Sequence, residues 1–129
     1  MTVENLYLPL LRDLFGACTD GNPQVDVISL ATSDGFPVLS YASNQENFKE
    51  DTMAAAASTL QSVSSAVAQQ ILGREFKSTF IEAKEGNVCF VALNMMDKDY
   101  VLAMSASGDM NIASLRLCIN GLASEISAL

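Results

Sequence analysis

Large apolar residues recur every three or four positions in three segments of this chain, a spacing typical of helices with one face against a core. The first segment carries Leu6, Leu10 and Leu14 on one stripe, and the last repeats Leu115 and Ile119. Five shorter segments, rich in apolar and β-branched residues, predict strands. In chain order the predicted elements are helix 3–17, strands 25–32 and 38–42, helix 47–72, strands 75–83, 88–95 and 100–106, and helix 111–126.

Short polar turns separate the predicted strands. Asp34 and Gly35 lie between the first two, and glycine there allows the positive φ of a tight hairpin, so we expect both to be structural turn residues. Polar breaks at 84–87 and 97–99 separate the later strands. Neighbouring strands joined in this way favour an antiparallel sheet, and two nearly all-apolar strands predict helices on both of its faces. The expected fold class is therefore an α/β sandwich (α+β) with the order α-β-β-α-β-β-β-α, in a single domain of residues 1–129.

The long central helix has no charged residue between Asp51 and Arg74. Capping-box spacing from Asn47 to Glu50 marks its predicted start, and Gly73 marks its end. A solvated helix face normally carries Lys and Glu, so a neutral surface predicts a packed partner. Either the helix is buried on both sides within one protomer, or it forms the seam of a dimer.

The length of 129 residues favours the seam, because so short a chain has little material to bury this helix all round. Its large residues at 53, 60, 63, 67 and 71 predict the side that faces the core, and its small residues predict the side that faces a partner. The polar strand 75–83 suits a sheet edge or a strand shared across the interface. The expected interface residues are Ala54, Ala55, Ser58, Ser62, Ser65, Ala66, Lys77 and Thr79.

Composition excludes several classes of function. Fifteen acidic and seven basic residues leave a net charge of −8, which repels phosphate backbones and argues against nucleic-acid binding. No apolar run approaches the roughly 18 residues of a membrane-spanning helix, and no signal-peptide pattern is present, so we expect a cytoplasmic protein without membrane insertion.

The chain also lacks the usual residues of catalysis. It has no histidine, no phosphate-binding loop and no dinucleotide-binding glycine motif, so we expect neither an enzyme nor a bound cofactor or metal. Asp97 and Asp99 suit a solvated turn better than a metal site. Arg74 could act as an arginine finger that a partner reaches. The preferred interpretation is that its positive charge, after the C-terminal end of the central helix, interacts favourably with the helix dipole. The three cysteines, at positions 18, 89 and 118, lack metal-type spacing and predict buried, reduced thiols.

Several of these segments together resemble the roadblock/dynein-light-chain family. In the first hairpin, Asp34-Gly35 is followed by a hydrophobic Phe36 and by Pro37. The Ala/Ser-rich central helix, the hairpin 80–93 around Glu85-Gly86, and residues 111–113 at the start of the last helix are also similar. The resemblance covers residues 25–122, and the long last helix is more like the prokaryotic, MglB-type regulators of polarity and motility.

The resemblance implies a roadblock-type, profilin-like architecture with five antiparallel strands, and a homodimer joined through the central helix and the strand after it. It also implies a non-enzymatic adaptor that binds a small Ras-like GTPase of the MglA type, with or without stimulating GTP hydrolysis. A structural scaffold of the dynein-light-chain type is the first alternative. A small-molecule sensor is the second, and it would need a closed apolar pocket.

Overall fold

The computed structural model describes residues 3–44 and 48–129. Within those ranges the elements follow the predicted order, so the fold class is confirmed. They are α1 Val3–Gly21, β1 Val25–Thr32, β2 Pro37–Ala42, α2 Glu50–Val67 with a π-helical turn at Ala68–Leu72, β3 Ser78–Ala83, β4 Gly86–Met95, β5 Lys98–Ser107 and α3 Ile112–Ser127.

All neighbouring strands of the sheet are antiparallel, in the order β2-β1-β5-β4-β3. The central strand β5 pairs with β1 on one side, with Ala103 opposite Ser29, and with β4 on the other, with Met104 opposite Cys89. Three of the pairs are hairpins, and the β1–β5 pair joins the halves of the chain that α2 separates. Strand β3 lies at the edge of the sheet, as its polar sequence predicts.

The larger part of the core lies between the sheet and the pair of helices α1 and α3. Alternate residues of the strands point to this face, including Leu30, Val91 and Leu102. The α3 stripe that contains Leu115 and Ile119 is fully buried here, as its spacing predicts. Two helices side by side therefore cover this face of the sheet.

The opposite face of the sheet carries a smaller core, which α2 alone covers among the described residues. Ala54 and Ala57 of the helix pack against Ala31, Ala103 and other residues of β1, β4 and β5. Because these four alanines have small side chains, the N-terminal half of the helix can approach the sheet closely. The two faces are thus unequal, with two helices on one and a single helix on the other.

The face of α1 that packs on the sheet differs from the predicted one. Leu6 and Leu10 are 62% and 47% exposed, whereas Leu11 and Phe15 are buried against the sheet and α3. The predicted stripe was wrong at Leu6 and Leu10, whereas its third member, Leu14, does pack against the core. Two adjacent rows of this helix are apolar, and only the packing partners select between them. The helix continues through Pro9, which lies on its exposed side.

One turn prediction and one helix-cap prediction also need correction. The β4–β5 turn is formed by Met96 and Asp97, both with positive φ, and β5 already begins at Lys98, so the turn lies one residue earlier than predicted. Helix α2 begins at Glu50 with Lys49 at the N-cap position, and the Lys49 side chain makes no capping hydrogen bond. The predicted cap residue, Asn47, lies outside the described residues.

Candidate protein interface

Helix α2 has one side on the sheet and an uncharged side that faces solvent. Ala54 and Ala57 are its fully buried residues, both in the N-terminal half. Ala55, Ser62 and Ala66 lie on the outward side, where all three are exposed. Three of the predicted interface residues therefore do form an accessible neutral surface.

The large residues in the C-terminal half of α2 are exposed as well, contrary to the prediction that they face the core. Val63 is 56% exposed and Val67 50%, and in the π-helical turn Ile71 is 76% exposed and Leu72 69%. Spacings of four residues place Val63, Val67 and Ile71 along one side of the helix, next to the row of Ser62 and Ala66. We call Val63, Val67, Ile71 and Leu72 the apolar stripe. Exposed apolar residues grouped in this way are typical of a surface that another protein covers.

Two of the predicted interface residues of α2 make their contacts within the protomer. Ala54 is fully buried under the helix, so it belongs to the core and not to an accessible surface. The Ser58 hydroxyl donates a 2.6 Å hydrogen bond to the carbonyl oxygen of Ser33, which attaches α2 to the first hairpin. Ser65 is half-buried on the side of α2 toward the sheet.

The edge strand β3 lies beside α2 and is attached to it. The Thr79 hydroxyl donates a 2.7 Å hydrogen bond to the Ser64 hydroxyl. Lys77 is exposed, and its carbonyl oxygen accepts from the backbone N–H of Ala92 just before β3 begins. Ile81 is 42% exposed, so apolar surface continues from the helix onto the edge of the sheet.

The first hairpin turn is structural, as its sequence indicates. Gly35 has a φ of 100°, and its N–H donates to the carbonyl oxygen of Thr32. The Thr32 hydroxyl accepts from the N–H of Phe36, and a hydrogen bond with the Thr32 side chain lowers the pKa of the Asp34 carboxyl. Gly35 also faces Ser58, so this turn is where α2 rests on the hairpin.

The cysteines are placed differently from the prediction of three buried thiols. Cys89 is fully buried in β4, and burial raises its pKa to about 11. Cys18 and Cys118 are only half-buried, and their sulfur atoms lie 3.6 Å apart between α1 and α3. The sequence contains no local signal for this contact, because 100 positions separate the two residues.

The described part of the chain offers little for other kinds of site. Residues 3–44 and 48–129 contain no group of three or more side chains suited to hold a metal ion, and no helix there is long and apolar enough to cross a membrane. Several of its cavities are open surface grooves, of about 290 to 540 Å³, rather than the closed apolar pocket that a small-molecule sensor needs. Arg74 is exposed directly after the π-helical turn.

Comparison with known structures reveals the same fold in proteins of low sequence identity. MglB from Myxococcus xanthus superposes with a TM-score of 0.78 at 17% identity, over 92% of this chain and 92% of that one. An MglB with a tetrameric arrangement gives 0.79 at 10% identity, over 93% and 87% of the two chains. Profilin II from Acanthamoeba castellanii shares the fold more distantly, with a TM-score of 0.58 at 13% identity over 84% and 90%.

The sequence itself matches one family model. No curated protein sequence matches the chain. The model of the Roadblock/LC7 domain matches residues 19–106, which include the whole sheet except the end of β5, together with α2. This chain therefore belongs to the Roadblock/LC7 domain family.

Proposed function

We propose that this chain is a non-enzymatic adaptor that forms a homodimer through α2 and β3 and binds a small Ras-like GTPase of the MglA type. The observation that carries the proposal is the uncharged outer surface of α2, with its apolar stripe beside the free edge of β3. The family membership and the structural likeness to MglB support it.

Self-association follows from the chemistry of that surface. The apolar stripe exposes between half and three quarters of each of its four side chains, which is unfavourable in water. Two copies of α2 packed against each other would cover both stripes, and the small residues Ser62 and Ala66 would let the two helices come close. An isologous pair of this kind needs no second protein, and the MglB with a tetrameric arrangement shows that a protein of this fold can self-associate.

The proposed effect on the GTPase is stimulation of hydrolysis without a catalytic residue from this chain. A shared fold does not fix the function of a protein, which depends on the residues at its surface and sites. The chain has no histidine, and Arg74 stands at the end of a helix where its charge favours the helix dipole. Stimulation would therefore act through the conformation of the GTPase's own residues.

A single-turnover hydrolysis assay tests this proposal. The Ras-like GTPase encoded nearest to this chain is loaded with GTP, and nucleotide turnover is measured with and without the full chain, alongside binding by calorimetry. Binding with faster turnover supports the proposal. Binding without faster turnover identifies the scaffold alternative, and absence of binding refutes the GTPase assignment.

Two arginine variants separate indirect stimulation from an arginine finger. We expect Arg74→Ala to change the stimulated rate no more than the control Arg12→Ala, an exposed arginine of α1. An arginine finger is worth on the order of 10³-fold or more in rate. A loss of that size with Arg74→Ala alone would show that the chain supplies a catalytic group.

A further inference from the structure

The half-buried thiols of Cys18 and Cys118 form a pair that the proposed adaptor function does not use. Cys18 is in the last turn of α1 and Cys118 is in the middle of α3, and their sulfur atoms lie 3.6 Å apart. The side-chain amide of Asn22 donates a 2.9 Å hydrogen bond to the carbonyl oxygen of Cys18, so the last turn of α1 is closed by a local hydrogen bond. The two sulfur atoms are therefore in contact in the folded chain.

Both thiols also line an open groove between the two helices. This groove has a volume of about 500 Å³, and its other walls include Leu14, Leu122 and the carboxylate of Glu125. A molecule the size of hydrogen peroxide can therefore reach the sulfur atoms from solvent. Cys89, by contrast, is fully buried in β4.

We propose that Cys18 and Cys118 are a redox-active dithiol that closes to an intrachain disulfide when a hydroperoxide is present. A disulfide has an S–S distance of about 2.05 Å, so the sulfur atoms must approach by about 1.5 Å, which small side-chain rotations in a half-buried site can provide. The bond would join α1 to α3 on the sheet face opposite α2. It therefore leaves the proposed dimer surface untouched.

The chemistry balances with hydrogen peroxide as the oxidant. The thiolate of one cysteine attacks a peroxide oxygen, the O–O bond breaks, and a sulfenic acid forms while the hydroxide leaving group takes up the thiol proton as water. The second sulfur then attacks the sulfenic sulfur, the S–O bond breaks, and a second water leaves. Two thiols and one peroxide give one disulfide and two waters.

The surroundings keep Cys18 in its thiol form. Burial raises the pKa of Cys18 to about 12, with the neighbouring Cys118 adding to the effect, so Cys18 stays protonated near neutral pH. Since a thiol that stays protonated reacts slowly, the bond should form toward the slow end of the usual range of seconds to hours.

The test treats the purified full chain with hydrogen peroxide, blocks remaining thiols with an alkylating agent, and maps the peptides by mass spectrometry. We expect a peptide pair linked through Cys18 and Cys118, one alkylated Cys89, faster migration on a non-reducing gel, and reversal by dithiothreitol. The long loop that the bond closes should raise Tm by roughly 10 °C.

Three variants act as controls. Cys89→Ala should retain the cross-link, whereas Cys18→Ser and Cys118→Ser should each lose it. The proposal is overturned by a cross-link that includes Cys89, by disulfides only between chains, or by sulfinic acid at either cysteine without a cross-link. If a variant does not fold, the peptide map of the protein without substitutions still decides whether Cys18 and Cys118 become cross-linked.

Discussion

The carboxylate of Glu4 joins the first turn of α1 to the hairpin formed by β4 and β5. It accepts a 2.6 Å hydrogen bond from the Lys98 ammonium and a 2.9 Å hydrogen bond from the Tyr100 hydroxyl. The Glu4 side chain is only 14% exposed. The hydrogen bond from Lys98 is the main reason that the pKa of Glu4 falls from 4.5 to about 2. Burial in turn raises the pKa of Tyr100 above its usual range.

We expect Glu4→Gln to lower the free energy of unfolding by about 1–2 kcal/mol at pH 7, because the charged acceptor is lost while half-exposed Lys98 limits the gain from the pair. A carboxyl whose folded pKa is lowered contributes stability above its unfolded pKa, and that stability disappears as the pH falls. The difference between the variant and the parent should therefore shrink between pH 4.5 and about 2.

Urea denaturation at a series of pH values measures this difference. Asp13→Asn, which removes an exposed carboxylate from the same helix, is the control and should show a much smaller effect. A Glu4→Gln penalty that persists unchanged at pH 2 would show that shape, and not charge, is what this residue provides.

Gly35 is the glycine whose backbone conformation matters most to the turn beneath α2. A Cβ atom at this position would have ordinary contacts, the nearest at 3.6 Å from Ser58, but φ is 100°. We therefore expect Gly35→Ala to destabilise the protein by about 1–2 kcal/mol through backbone strain alone.

Gly16→Ala is the matched control, because Gly16 is in α1 and a Cβ atom there meets nothing within 4 Å. It should increase stability by up to about 1 kcal/mol, since alanine loses less backbone entropy in a helix. Denaturant midpoints of the two variants at equal protein concentration check the pair. Equal effects of the same sign would contradict the explanation by φ.

At the scale of one element, the two halves of helix α2 have different roles. The N-terminal half is anchored by buried Ala54 and Ala57 and by the hydrogen bond from Ser58 to the hairpin. Beyond Ala57, none of the helix residues through Leu72 is fully buried, and the apolar stripe is exposed. The first half attaches the helix, and the second half presents a surface.

We expect Val67→Glu to split the proposed dimer, because it places an unpaired charge where two apolar stripes would meet. Ser62→Glu and Ala66→Glu, on the adjacent row, should act in the same way. Since all three positions are exposed in the protomer, circular dichroism should stay unchanged while sedimentation shows single protomers.

Leu117→Glu is the matched control for these variants. Leu117 is 77% exposed on α3, on the opposite face of the sheet, so the same kind of substitution should leave the dimer intact. A dimer that survives Val67→Glu, or one that Leu117→Glu splits, would move the seam away from α2. Ala54→Glu is unsuitable for this purpose, because a charge at that buried position would unfold the protomer.

Over the whole molecule, the two faces of the sheet have different roles. One face holds the large core under α1 and α3, together with the thiol pair. The other holds a small alanine-rich core under α2 and leaves the apolar stripe and the β3 edge open. The proposed oxidation thus belongs to one side of the protein, and the proposed association belongs to the other.

Much of this fold could be predicted because its signals are local. The apolar strand segments, the hairpin at Asp34-Gly35, the stripe of α3 and the polar sequence of β3 are all properties of short segments. The strands, the hairpin, the buried face of α3 and the edge position of β3 that they predicted were confirmed. Contacts between residues far apart in the sequence could not be predicted. Glu4 and Lys98 are 94 positions apart and Cys18 and Cys118 are 100 apart, so no spacing rule connects them.

The sequence by itself determined the order of elements, the antiparallel hairpins and the neutral character of α2, because turn chemistry and side-chain periodicity act over a few residues. The tertiary structure decided which apolar row of α1 faces the sheet. It also decided that Val63, Val67 and Ile71 of α2 point outward, whereas Met53 and Leu60 pack on the core as predicted. The physical reason is that both helices have more apolar surface than one sheet face can cover. Which part stays uncovered depends on the neighbours that packing brings together, and on α2 that uncovered part is the proposed interface.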